Sequence, residues 1–374
     1  MFIGSCLLHV HVCFMCFAAA PFNRQELLKM RRSDRNKPNY GDFSPSDADR
    51  KHHGLLNQGG TCYLNSVLQV LFMTKDFRDA VKRGTSEMTF IDPELKALFQ
   101  DLEKYPAYTY RITKKLGIEM VHEQRDAAEF FERILEMTDS EAKQIFRGLL
   151  AHFVCCDKCG KESVQDQQFW YLPLSLGNNS AEVYRVEDGI EEFLRTLTFT
   201  EENQIYCDNC NAKTNCTEGN KVTYPPDVLT LLLKRFHFNL DTKSSTKNNR
   251  KVLIPFTLNN PESYQLYAVV EHSGELRNGH YVSIIQTDED RWFCFNDEKV
   301  SRVQQQFKDG PIMSSTAYLL FYRKETSENQ SSMKVDDSEV KATGQGTSKR
   351  LPTKNHPLTE EDGESAKSRI VTLV

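Results

Sequence analysis

Cys62 stands in the run Gly54-Leu55-Leu56-Asn57-Gln58-Gly59-Gly60-Thr61-Cys62-Tyr63-Leu64-Asn65. Two glycines form a loop just ahead of an apolar-periodic stretch, which puts Cys62 at or near the first turn of a helix. Unpaired backbone N–H groups and the helix dipole at that position favour a thiolate over a thiol, and the thiolate is the nucleophilic form. Asn57, five residues upstream, sits on a loop that can fold its amide back to stabilise the oxyanion of a tetrahedral intermediate. The competing reading of Cys62 is a buried small hydrophobe, so a partner has to decide. That partner is His280, in Asn278-Gly279-His280-Tyr281-Val282-Ser283, at the start of an expected strand. Sixteen residues on, Trp292-Phe293-Cys294-Phe295-Asn296-Asp297 ends a second strand in two short polar residues. Antiparallel pairing around Asp288-Glu289-Asp290 brings His280 and Asn296 together at the open end of the hairpin. A Cys–His pair oriented by Asn or Asp performs acyl transfer: the histidine takes the thiol proton and the third residue fixes its tautomer.

A second constellation is metallic. Cys156-Asp157-Lys158-Cys159 and Cys207-Asp208-Asn209-Cys210 each let two thiolates grip one tetrahedral ion, and four thiolates with no open position make a structural zinc site. With 47 residues between them, the pairs fit two ribbon-like knuckles, Cys155 and Cys216 being bystanders.

The elements that must position these groups change character along the chain. Leu64, Val67, Leu68 and Leu71 fall on one helical face after Cys62. Asp92-Pro93 reads as a cap with proline at the first helical position, and Asp126 with Glu129 reads as a capping box. The second half reads as strands: 228–238, 264–271, 280–286, 291–295 and 318–323. The polar run 241–250 reads as a loop. A helical front and a β-rich back suggest an α+β enzyme with its cleft between them.

Composition narrows the class. A net charge of -5 over 374 residues argues against nucleic acid as a partner, which needs a basic face. Eleven cysteines, among them the Cys156/Cys159 and Cys207/Cys210 pairs, point to metal and a reducing compartment rather than a disulfide scaffold. No apolar run has the length of a membrane span. Residues 2–20 are mostly apolar and end in Ala18-Ala19-Ala20-Pro21 like a signal peptide, but no Lys or Arg precedes them and His9 and His11 interrupt them. They read as a membrane-associating or non-native leader, and 24–51 as a disordered linker, so residues 1–53 precede the ordered domain. Residues 325–374 read as a disordered tail, whose terminal Val371-Thr372-Leu373-Val374 matches an end that adds to a PDZ sheet edge.

Taken in order, these segments resemble the ubiquitin-specific proteases. The 57–65 run is similar to that family's cysteine box, and 274–282 with 292–300 to its histidine box. Glu123-Gln124-Arg125-Asp126-Ala127-Ala128-Glu129-Phe130 resembles its Gln-x-Asp-x-x-Glu-Phe segment. Leu172-Pro173-Leu174, Leu233-Lys234-Arg235-Phe236 and Tyr318-Leu319-Leu320-Phe321-Tyr322 match further landmarks. The resemblance covers residues 54–324. It implies a papain-like fold of thumb, palm and zinc-ribbon fingers, and hydrolysis of the (iso)peptide bond after the C-terminal glycine of ubiquitin in cytoplasm or nucleus. It implies Cys62 as nucleophile, His280 as base, Asn296 as third member where many members have Asp, Asn57 as oxyanion donor and Asp297 as an assisting neighbour. Gln124, Asp126, Glu129 and Phe130 are then expected along the path of the ubiquitin tail, whose arginines suit acidic partners. Two alternatives stand beside this reading: a non-catalytic ubiquitin-binding module, and a protease for a ubiquitin-like modifier.

Overall fold

The computed structural model describes residues 52–325 apart from 86, 178–182, 240–243, 260–261, 277 and 304–309. The expectations for the leader and linker up to residue 51, for the tail beyond 325 and for the PDZ-type end lie outside the described residues.

Helix α1 spans Cys62–Met73, α2 Lys75–Arg83, α3 Asp92–Leu102 and α4 Ala127–Met137. Every residue of α1 from Cys62 to Phe72 is buried, as befits a helix apolar on nearly all faces. Its neighbours meet it through aromatic rings: Tyr63 packs on Phe130 of α4 at 4.9 Å between centroids, and Phe72 on Phe99 of α3 at 5.5 Å. Asp126 starts α4, its carboxylate accepting from the Ala128 N–H at 2.7 Å. At α3 the expectation needs correcting. Asp92 is the first helical residue rather than the cap, because its carboxylate is drawn away to accept from the Asp139 N–H at 2.8 Å. It secures the chain leaving α4 instead.

The strands that matter for the site are β1 (Gly148–Cys156), β2 (Glu162–Phe169), β3 (Leu172–Ser175), β4 (Leu197–Phe199) and β5 (Cys216–Tyr224). They are followed by β6 (Val228–Lys234), β7 (Ser263–Glu275), β8 (Asn278–Gln286), β9 (Trp292–Asn296), β10 (Lys299–Arg302) and β11 (Ala317–Lys324). One sheet has the order β10-β9-β8-β7-β11-β6-β3, antiparallel except for the parallel β6–β3 pair. The middle of β7 and nearly all of β11 are buried, and α1 lies across the sheet at β8. A separate sheet, in the order β2-β1-β5-β4, carries largely exposed residues on β2 and ends at the cysteine pairs.

Two strand expectations shift. The run 228–238 breaks at Arg235, whose fully buried guanidinium donates to the carbonyls of Ala317, Asn248 and Arg250. Beyond it, Phe236–Asn239 pairs antiparallel with Ser244–Lys247, so part of the polar run read as a loop is strand. Ladder hydrogen bonds come from the backbone, and a short ribbon with solvated sides needs no apolar alternation to form.

Candidate active site

The hairpin of β8 and β9 forms in the register that the sequence required, with Ser283 opposite Phe295 and Gln286 opposite Trp292. At its open end His280 Nε2 and Asn296 Oδ1 are 2.6 Å apart. An amide oxygen only accepts, so Nε2 carries the proton and Nδ1 is left with the lone pair a base needs.

Cys62 is the first residue of α1 and is 1% exposed. The expectation that the helix start would favour a thiolate is reversed. Burial pushes the thiol up to about 11, the charge of Asp297 adds to this, and the N–H of Tyr281 on the sulfur only partly opposes it. Among the described residues no hydrogen bond joins Cys62 to His280. Cys62, the candidate nucleophile, is therefore a covered thiol whose burial favours the neutral form. Alkylation of Cys62 by a small neutral reagent, followed on its own peptide by mass spectrometry, is expected to be slow at pH 8 and to rise about tenfold per pH unit toward pH 11. A plateau already reached near pH 8 would contradict the raised thiol.

Asn57 and Asp297 form a bracket across the base of the site. The Asn57 amide donates to Asp297 Oδ2 at 2.9 Å, while its oxygen accepts from the N–H groups of Gly59 and Thr61 at 2.8 and 3.1 Å. Asp297 also accepts from Asn65 at 2.8 Å through Oδ1 and from the Leu55 N–H at 3.0 Å through its carbonyl. Its φ of 52 is a left-handed conformation that Asp tolerates better than most residues. The assisting neighbour thus ties the cysteine loop and α1 to the end of β9. Gly54 has to be glycine there, since a Cβ would lie 2.1 Å from the Asp297 carbonyl.

Of the residues expected along a substrate path, Gln124 bonds to Gly279, next to His280: its amide donates to the carbonyl and accepts from the N–H, both at 2.6 Å. Asp126 caps α4 and accepts from the Tyr318 hydroxyl at 2.6 Å; burial raises its carboxyl, with that hydroxyl opposing. Glu129 is half-buried and raised by burial and then by Asp126. Phe130 needs correcting, because it is 0% exposed and packs on Tyr63. It packs against the helix that begins at Cys62 and has no surface left for a ligand.

Sequence reasoning missed Asn65, which is buried and donates to both Asp297 and the Leu55 carbonyl. Its signal was available: an amide three residues after Cys62 inside a mostly apolar helix needs a partner.

The four Cys-x-x-Cys sulfurs lie within 4.8 Å of one another. Cys156 and Cys210 sulfurs are 3.9 Å apart, and those of Cys159 and Cys207 3.8 Å. A tetrahedral ion with bonds of about 2.3 Å requires sulfur–sulfur edges of about 3.8 Å, so the donor set fits. Gly160 and Asn211, each directly after the second cysteine of its pair, have φ of 70 and 50, and these reversals turn both knuckles toward the same point. The Thr214 hydroxyl lies 3.1 Å from the Cys156 sulfur and, with backbone N–H groups, lowers that thiol to about 6. Cys216 is nearer than a bystander, its sulfur 3.6 Å from the same hydroxyl.

A family model described as ubiquitin carboxyl-terminal hydrolase matches residues 53–322. Among curated proteins, ubiquitin carboxyl-terminal hydrolase 47 of Xenopus tropicalis is 26% identical over 74% of this chain and 28% of its own length. Its counterpart from Homo sapiens is 25% identical over 76% and 28%. Ubiquitin carboxyl-terminal hydrolase 7 of Drosophila melanogaster is 28% identical over 69% and 25%. The chain spans roughly a quarter to a third of the length of these relatives. With the match running from the loop before Cys62 through the last strand of the sheet, the chain belongs to the ubiquitin carboxyl-terminal hydrolase family.

Proposed function

We propose that the protein is a thiol-dependent deubiquitinase that cleaves the (iso)peptide bond after the C-terminal glycine of ubiquitin. The observation that carries this reading is the 2.6 Å pairing of His280 with Asn296, on the strand whose next residue directs its N–H at the Cys62 sulfur. His280 Nδ1 takes the Cys62 proton as sulfur attacks the glycine carbonyl. The oxyanion is held by backbone N–H groups at the start of α1, with the remaining Asn57 amide hydrogen as a further donor. The imidazolium then protonates the departing amine, leaving a thioester. Water attacks this thioester, gives its proton to His280, and releases the ubiquitin carboxylate and the thiol. Glu129 suits an arginine of the tail, because a cation beside it offsets the burial that now raises its carboxyl.

Cys156, Cys159, Cys207 and Cys210 would hold one structural zinc, whose role is to fix the two knuckles at the end of the β1–β5 sheet as fingers. Reduced thiolates and a free nucleophile suit the cytoplasm or nucleus, with ubiquitin and ubiquitinated proteins as partners. No helix among the described residues is long and apolar enough to cross a membrane.

Covalent capture by ubiquitin with a thiol-reactive C-terminal electrophile tests the assignment, with a ubiquitin-like modifier carrying the same group alongside. An adduct with ubiquitin alone supports it. Binding without an adduct would favour the non-catalytic module, and preference for the other modifier would change the substrate.

A further inference from the structure

Beyond Ser283, the last residue of β8 opposite β9, strand β8 continues past His280 with no strand partner on that edge among the described residues. Alternate residues of a strand present their N–H and C=O to the same edge. Two of them, Gly279 and Tyr281, have partners there that are not strands. The Tyr281 N–H meets the Cys62 sulfur, and the N–H and C=O of Gly279 both meet the Gln124 amide at 2.6 Å.

This edge is where an extended chain end would lie to bring its last carbonyl to Cys62, by adding to the sheet as a strand. A strand doing so needs the same two Gly279 groups that Gln124 holds. A primary amide carries one carbonyl and N–H donors, the complement that a peptide backbone offers. We propose that Gln124 is a built-in substitute for the substrate backbone, occupying Gly279 until an extended C-terminal tail displaces it. This rests on the deubiquitinase reading and adds how the site admits its substrate.

Packing decides which partner moves. Gly279 is pressed against His272, which is 1% exposed, and even a Cβ on Gly279 would come within 2.1 Å of its Nε2. The strand has no room to withdraw. The main chain near Gln124 is also held, because the Gly60 N–H donates to the Val121 carbonyl at 2.8 Å. The glutamine side chain, half-buried and held there by these two hydrogen bonds alone among the described contacts, is the element that yields. Only a ligand bringing both a backbone donor and an acceptor replaces what is lost, so the arrangement selects an extended peptide over a small ester or amide.

The test compares capture of the full chain by the electrophilic ubiquitin in wild type, Gln124→Leu and Gln124→Glu. Leucine removes both hydrogen bonds, and glutamate keeps only the acceptor. Gln124→Leu is expected to react about fivefold faster, the effect of one or two modest hydrogen bonds removed from the resting state. With a fluorogenic ubiquitin amide, KM is expected to fall while kcat stays within about twofold. Gln124→Glu should lie between wild type and Gln124→Leu, and it serves as the folded comparison if the leucine variant melts early. A fall in kcat with KM unchanged would make Gln124 a fixed brace for His280 and overturn the proposal, and equal rates in all three would also overturn it. If wild type itself forms no adduct, the hydrolase reading falls first, an outcome distinct from reactive proteins that do not differ.

Discussion

Cys62→Ala is expected to abolish hydrolysis of ubiquitin amides while leaving ubiquitin binding nearly intact. The loss in kcat is on the order of 10⁴-fold or more, since base and oxyanion donors alone have no nucleophile to act on. The substitution removes one sulfur from a fully buried position, where its polar contacts are backbone N–H groups, that of Tyr281 foremost. Asn57, Asp297 and Asn65 keep their bonds to one another, so the loop before α1 retains its shape. Steady-state turnover and a binding titration with free ubiquitin check both halves. Turnover persisting in a folded Cys62→Ala protein would remove Cys62 from the role assigned to it.

The second large effect concerns the thiolate cluster. Purified wild-type protein is expected to hold one zinc per chain, and Cys207→Ser to lose it. Metal binding to such a site is itself folding free energy, so the variant should be less stable by roughly 3–5 kcal/mol, about 10 °C in melting temperature. The damage should stay local. The cluster packs with Cys216, Val154 and Ile205 in a small core of its own, apart from the one that contains Cys62. Alkylation of Cys62 should therefore proceed at the wild-type rate. Elemental analysis showing no zinc in the wild type, with an unchanged melting curve for the variant, would remove the metal.

How much of this was legible in the sequence depended on whether the determinant was local. The helix after Cys62, the cap at Asp126 and the hairpin joining His280 to Asn296 are all set within about twenty residues, and periodicity or turn chemistry reports them. The cysteine pairs were legible because ligand spacing is itself a local rule. Contacts across more than a hundred residues were not. That Gln124 would hold Gly279, or Asp297 would reach both Asn57 and Asn65, follows from how two halves of the chain pack. The thiol was misjudged for the same reason: the helix start was visible, but the burial that outweighs it is tertiary. Phe130 had the residue type of a binding site and the surroundings of a core.

The order of the large sheet bears on when activity can first arise. Strand β11 is the last of its strands to be synthesised, yet it lies between β6 and β7. Its Ala317 carbonyl also receives the buried Arg235 side chain. A ribosome that has delivered Cys62, His280 and Asn296 has still not delivered the strand that joins the two portions of the sheet. Until residues 317–324 emerge, no strand pairing among the described residues joins β7 to β10 with β6 and β3, and long-range pairing of this kind closes slowly. The chain therefore completes this sheet only after Cys62, His280 and Asn296 have all been made.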